Sequence, residues 1–148
     1  MKILIIILIL LSFIQVTVWP INLVLVTLIC RSYIKTSKSN LYLAFAFGLF
    51  ISHLNLTPLG FESLVYVSAI AITQLLSKAR LAGNALMIIP ITFLLMIFSH
   101  ALDGLVLKES LQLFPRVLIE SSLSLPILYL IRLWEERFII RKDIKLKL

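Results

Sequence analysis

Residues 40–60 read NLYLAFAFGLFISHLNLTPLG. From Asn40 to Leu56 there is no Asp, Glu, Lys or Arg, and then Thr57-Pro58-Leu59-Gly60 interrupts the run. Proline lacks a backbone donor and glycine adopts conformations closed to other residues, so Pro and Gly this close together mark a turn. Apolar sequence resumes at Phe61 and continues to Ser77, where Lys78-Ala79-Arg80 stops it. Two apolar segments joined by a four-residue turn predict a pair of membrane-spanning helices, because each is near the length that a bilayer core demands.

The same pattern extends in both directions. Upstream, Ile3 to Val18 follows Lys2 and resembles the apolar part of a signal peptide, yet no small-residue cleavage site precedes Trp19-Pro20 and apolar sequence resumes at Ile21. It is therefore expected to be a retained first span. Ile21 to Ile34 is short, reaching roughly 21 Å at 1.5 Å per residue against a hydrocarbon core of about 30 Å. Arg31 would have to snorkel toward the interface, or the bilayer thin locally. The alternative is one long helix kinked at Pro20, which leaves five spans. Downstream, a fifth span is expected from Ala85 to Leu102, containing Pro90, and a sixth from Phe114 to Trp134, containing Pro126. Neighbouring helices would have to satisfy the carbonyls that these prolines free. The expected fold is thus all-α: a membrane-embedded bundle of about six helices over residues 1–134, with a basic cytoplasmic tail over 135–148.

Composition agrees. Of 148 residues, 61% are hydrophobic and 14% charged, against about 45–50% and about 25% in a soluble domain. The net charge of +7 would suit nucleic acid, but its distribution argues for membrane topology instead. Twelve of the fourteen basic residues fall in four groups at segment ends: Lys2; Arg31, Lys35 and Lys38; Lys78 and Arg80; and Arg132, Arg137, Arg141, Lys142, Lys145 and Lys147. With six spans all four share one side, leaving Lys108 and Arg116 on the other. The positive-inside rule then puts both termini in the cytoplasm, and Trp19 and Trp134 fall in opposite aromatic belts. The tail also carries Phe138, Ile139, Ile140, Ile144, Leu146 and Leu148, which suits adsorption to anionic lipid as well as it suits a solvated stop-transfer segment.

Candidate chemistry is sparse. Ionisable groups within spans are costly in lipid and are functional candidates for that reason. Glu62 opens the fourth segment, either as a carboxylate favoured by the helix dipole or as a partner contact on the outer face. Glu120 lies about one turn into the sixth, with Ser121, Ser122 and Ser124 as expected hydrogen-bond company. Ser52, His53 and Asp103 invite a catalytic triad, and His100 with Asp103 a metal pair at i, i+3. Neither a nucleophile elbow nor a fuller ligand set accompanies them. Cys30 is the single cysteine and is expected to be an apolar filler. Gly48, among Ala44, Phe45, Ala46 and Phe47, offers a small face for close helix approach. No enzymatic activity and no cofactor are expected.

The order Gly48-Leu49, Ser52, Pro58-Leu59-Gly60, then Glu62 and Tyr66, resembles the MreD family of rod shape-determining proteins. Members typically end a span with Gly-Leu, place an Asp four residues after the Gly, and open the next helix with Pro-Leu-Gly. Ser52 stands where that Asp is usual. Pro20-Ile21-Asn22 resembles a family Pro-Asp-Leu, again with the acid neutralised, and Glu120, Pro126 and Arg132 resemble the last span. The resemblance implies a non-enzymatic inner-membrane scaffold of the bacterial cell-elongation machinery. Its partners would be an MreC-like single-span periplasmic protein directly, and the MreB cytoskeleton and side-wall peptidoglycan synthases indirectly. The alternative is a small-solute transporter or the substrate-binding component of an energy-coupled vitamin importer, whose fold the family resembles. Gln15, Thr17, Gln74, Thr92 and Glu120 would be the polar lining of such a site.

Overall fold

A computed structural model describes residues 2–79, 84–107 and 113–145, with side chains of the last two helices placed up to 106 and from 115 to 137. Arg80, Lys108 and the side chains of the tail beyond Arg137 lie outside the described residues. Six α-helices form, and no strand occurs among the described residues: α1 (Lys2–Thr17), α2 (Leu23–Ile34), α3 (Lys38–Leu54), α4 (Phe61–Lys78), α5 (Ile88–Leu107) and α6 (Leu113–Lys145).

The break at Pro20 is real. Helix α1 ends at Thr17, and the chain turns through Val18–Asn22 by short local bonds, Trp19 O accepting from Ile21 N at 2.7 Å and Ile21 O from Leu23 N at 2.7 Å. Gln15 then clasps the start of α2, donating to Asn22 Oδ1 at 3.1 Å and accepting from Val24 N at 3.3 Å. The two helices are therefore separate. By length and composition, Ala85–Val106 and Pro115–Arg137 are able to cross a bilayer, whereas α1 and α2 are shorter apolar helices.

Helix α2 occupies the centre. Every residue from Val24 to Tyr33 is buried, by α1, α3, α4, α5 and α6 around it. Long-range bonds give the directions. Asn22 meets Glu120 and Arg31 meets Glu135, so α2 and α6 run parallel. Ser63 meets Phe45 and Gln74 meets Ser37, so α3 and α4 run antiparallel. Ser77 Oγ donates to Tyr33 O at 2.8 Å, closing α4 onto the end of α2. One end of the bundle thus gathers residues 15–24, 53–62, 100–107 and 113–120. The other gathers Arg31, Lys35, Lys38, Lys78, Trp134 and Arg137, so the described basic groups of three clusters meet at one end.

Two expectations change. Arg31 does not snorkel: it is 7% exposed, with Nε 3.7 Å from Glu135 Oε1. Pro90 is the third residue of α5, not an interior one, and a first-turn N–H has no intrahelical partner to lose. Helix α6 continues past residue 134 to Lys145, with Arg132 and Glu136 paired at 3.1 Å across one turn. Pro126 sits inside this helix.

Sorting by burial inverts the soluble pattern on α1. Its buried positions are Leu4, Leu8, Ser12 and Gln15, spaced by four, four and three residues, while Ile3, Ile6, Leu10 and Phe13 are exposed. On α6, Glu120, Ser121 and Ser124 are buried while Leu118, Ile119, Leu130 and Leu133 face out. Polar groups mark the inner face and large aliphatic ones the outer face.

Candidate functional site

The α3–α4 hairpin contains most of the motif residues. Gly48 lies against the α4 backbone: a Cβ there would stand 2.7 Å from Ser63 N. Ser63 Oγ donates to Phe45 O at 3.0 Å and closes the gap. Leu49 is half-buried beside it, and Ser52 is fully buried, its Oγ without a hydrogen bond.

Helix α3 stops by a specific device. Thr57 N donates to Ser52 O at 3.1 Å and Leu56 N to His53 O at 3.4 Å, with Leu56 in the left-handed region at φ 55°. This pair of bonds is the Schellman ending, in which glycine normally holds the left-handed position. Pro58 O then accepts from Phe61 N at 3.2 Å, and Gly60, at φ 96°, enters α4. The turn holds Leu56 91% exposed and Leu59 74% exposed at the tip.

Glu62 does not face outward. It is 7% exposed and lies within electrostatic reach of Asp103 and His100 on α5. One turn on, Tyr66 is fully buried and within reach of Glu62, Asp103 and Glu120. Gln15 lies beside its hydroxyl without completing a hydrogen bond.

Glu120 is fully buried. Its partners are not the serines that follow it, since Ser121 and Ser124 bond back to carbonyls of their own helix. Instead Oε1 accepts from Asn22 N at 2.9 Å, the start of α2, and Oε2 is 2.9 Å from His100 Nε2. The N-terminal end of α2 carries exposed backbone donors and a partial positive charge, which suits a carboxylate. The other imidazole nitrogen of His100, Nδ1, faces Asp103 Oδ2 at 3.8 Å. Glu120 therefore ties α6 to both α2 and α5.

Sequence reasoning placed Glu62, Glu120, His100 and Asp103 at one end of the bundle without joining them. It left out Tyr66 and Asn22 as members of the cluster. A signal for Tyr66 existed, because Glu62 and Tyr66 are four residues apart and share a helix face. The Asn22 contact is made by a main-chain N–H and leaves no residue-type signature.

Other candidates disperse. His53 is exposed and Ser52 makes no contact with it or with Asp103 of the kind a triad requires. No three His, Cys, Asp or Glu side chains among the described residues are arranged to chelate a metal. Cys30 is buried, donating to Ser124 O at 3.3 Å. Gln74 serves the opposite end, donating to Ser37 O at 2.9 Å, and Thr17 is exposed. Pro126 lies about two turns beyond Glu120 on α6.

Comparison of the chain with known protein families, with characterised proteins and with solved structures finds no match to any of them.

Proposed function

We propose that this chain is a multi-pass protein of the bacterial inner membrane with six spans and both termini in the cytoplasm. In it, the tip of the α3–α4 hairpin acts as a contact point for a partner of the cell-elongation machinery. The inverted burial of α1 and α6 supports a lipid surround, since the large aliphatic residues face out and the few polar ones face in. The shortness of α2 is no obstacle: about 18 Å long, it is walled off by five other helices and need not match the bilayer. Helices α1, α3 and α4, at 16, 17 and 18 residues, fall only a few ångström short of the hydrocarbon thickness, a modest mismatch cost. The described basic residues at one end support the cytoplasmic assignment of that end.

The observation that carries the partner contact is Leu56. A leucine in the left-handed region costs about 1–2 kcal/mol relative to ordinary backbone, and this one is 91% exposed. Strain kept at an exposed apolar residue is repaid by something other than folding. The resemblance of Gly48-Leu49 and Pro58-Leu59-Gly60 to the MreD pattern supplies the class of partner: an MreC-like single-span protein with a periplasmic domain. The MreB cytoskeleton and the side-wall peptidoglycan synthases associate through it. The role is scaffolding, not catalysis.

Leu56→Gly separates folding from function. Glycine relieves the left-handed strain but adds backbone entropy to the unfolded chain, so the variant gains about 0.5–1 kcal/mol of stability in detergent melts. It loses a buried leucine at the contact, about 1.5 kcal/mol or more, so partner recovery in a mild-detergent pull-down falls about tenfold. A variant that is more stable and recovers its partner undiminished contradicts the proposal.

A second reading, a small-solute transporter or the substrate-binding component of a vitamin importer, is favoured by one observation: Gln15, Glu62, Tyr66, His100, Asp103 and Glu120 converge within the bundle. Recovery of paired cytoplasmic ATPases in the same pull-down would establish it over the scaffold.

A further inference from the structure

The basic residues at the end of the bundle opposite the hairpin tip are unequally balanced. On the α6 side, Arg31 lies 3.7 Å from Glu135 and Arg132 lies 3.1 Å from Glu136. On the other side, Lys35, Lys38 and Lys78 are exposed, and none has a carboxylate partner among the described residues. The one acid within residues 1–102 is Glu62, at the far end of α4. Local bonds gather the three lysines around one loop. Lys35 ends α2, its N–H donating to Arg31 O at 2.9 Å, and Lys38 opens α3. Asn40 Nδ2 donates to Lys35 O at 2.7 Å and folds the loop onto α3. Gln74, one turn before Lys78, donates to Ser37 O at 2.9 Å, and Ser77 donates to Tyr33 O at 2.8 Å. The end of α4 is thereby pinned against the α2–α3 loop. Helix dipoles do not neutralise the cluster, since the ends of α2 and α4 supply about half a negative charge each and the start of α3 about half a positive one.

We propose that Lys35, Lys38 and Lys78 hold the headgroup of an anionic phospholipid of the cytoplasmic leaflet, with its acyl chains lying along the outer groove between α3 and α4. Both helices turn their other sides to α2. Tyr42 and Phe45, one and two turns from Lys38, and Leu75, one turn from Lys78, are exposed. Three unopposed cations call for an anion, and the aromatic and aliphatic residues one turn deeper call for that anion to carry chains. A soluble acidic protein supplies only the first. Basic clusters between helices on the cytoplasmic side are suited to such headgroups. Topology alone does not account for the arrangement, because the positive-inside rule counts basic residues and does not require them to be unpaired; Arg31 and Arg132 stand at the same end with carboxylates beside them. The inference rests on the membrane reading and its orientation, and is independent of the Leu56 contact.

The test uses the full-length protein in nanodiscs of phosphatidylcholine with graded phosphatidylglycerol. Surface lysines are acetylated briefly and read by mass spectrometry, and melting temperature is followed in the same discs. Phosphatidylglycerol is expected to slow acetylation of Lys35, Lys38 and Lys78 saturably, several-fold more than that of Lys2, which is exposed at the start of α1. Lys38→Gln raises the half-saturating fraction of phosphatidylglycerol for Lys35 and Lys78 about fivefold. The triple variant Lys35→Gln, Lys38→Gln, Lys78→Gln loses the rise in melting temperature that phosphatidylglycerol gives the parent, whereas Arg132→Gln with Arg137→Gln keeps it. Protection of Lys2 equal to that of the three lysines, no protection at all, or an undiminished rise in the triple variant overturns the proposal. So does equal protection by hexaglutamate in phosphatidylcholine discs, which would assign the cluster to an acidic protein. Failure of the protein to enter discs would overturn the membrane reading, and this inference with it.

Discussion

Glu120→Ala lowers the stability of the bundle by about 2–5 kcal/mol, since each buried partner left without its acceptor costs about 1–3 kcal/mol. The carboxylate is fully buried and accepts from the α2 main chain on one oxygen and faces His100 on the other. Truncation leaves the Asn22 N–H and the imidazole both buried without this acceptor, and loosens α6 from α2 and α5 together. Glu120→Gln keeps an amide oxygen for Asn22 and a polar group for His100, so its loss is smaller, about 1–2 kcal/mol. Urea or thermal unfolding in detergent, followed by tryptophan fluorescence, reads both. Because Glu62 has no such partners, Glu62→Gln carries no comparable penalty. That contrast between two buried glutamates is itself diagnostic of which one holds the fold together.

Gly48→Ala is the second large effect. The added Cβ would fall 2.7 Å from Ser63 N, which is backbone and cannot rotate away. Helices α3 and α4 must separate, at about 1–3 kcal/mol for overpacking, and the Ser63–Phe45 bond is stretched or lost, about 1 kcal/mol more. Since alanine is the better helix former, a stability loss in Gly48→Ala isolates the packing contribution. A neutral or stabilised Gly48→Ala would mean that the two helices have room to separate at no cost.

Much of the architecture was legible because punctuation survives in an apolar sequence. Trp19-Pro20, Pro58 with Gly60, and the charged breaks at 35–38 and 78 all coincide with helix ends, and the bounds of the first four helices follow from them. The facing of each helix was not legible. Hydrophobic periodicity reveals the inner side only when the outside is polar, and on α1 both Ile6 and Leu8 are apolar while only Leu8 is buried. The usable signal was the reverse one, the polar pair Ser12 and Gln15 marking the inner side. The inward facing of Glu62 was hidden for a related reason: a carboxylate in a first turn satisfies the dipole argument whichever way it points, and only packing turns it inward. Arg31 pairs with Glu135, 104 positions later in the chain, and Asn22 reaches Glu120 through its main chain. Neither contact has a local signature. Leu56 was hidden because the Schellman ending is expected at glycine, and the chain carries its glycine four residues later, at Gly60.

The contact proposed at the hairpin tip is tested most directly by placing a photo-activated cross-linking residue at position 56, and separately at 59, in native bacterial membranes. The expected result is covalent capture at both positions of a single-span protein with a periplasmic domain, of the cell-wall elongation machinery. Capture should be absent when the same group is placed at Tyr42, an exposed position near the opposite end of α3. Cross-links to lipid alone at positions 56 and 59, or capture of cytoplasmic ATPases there, would contradict it.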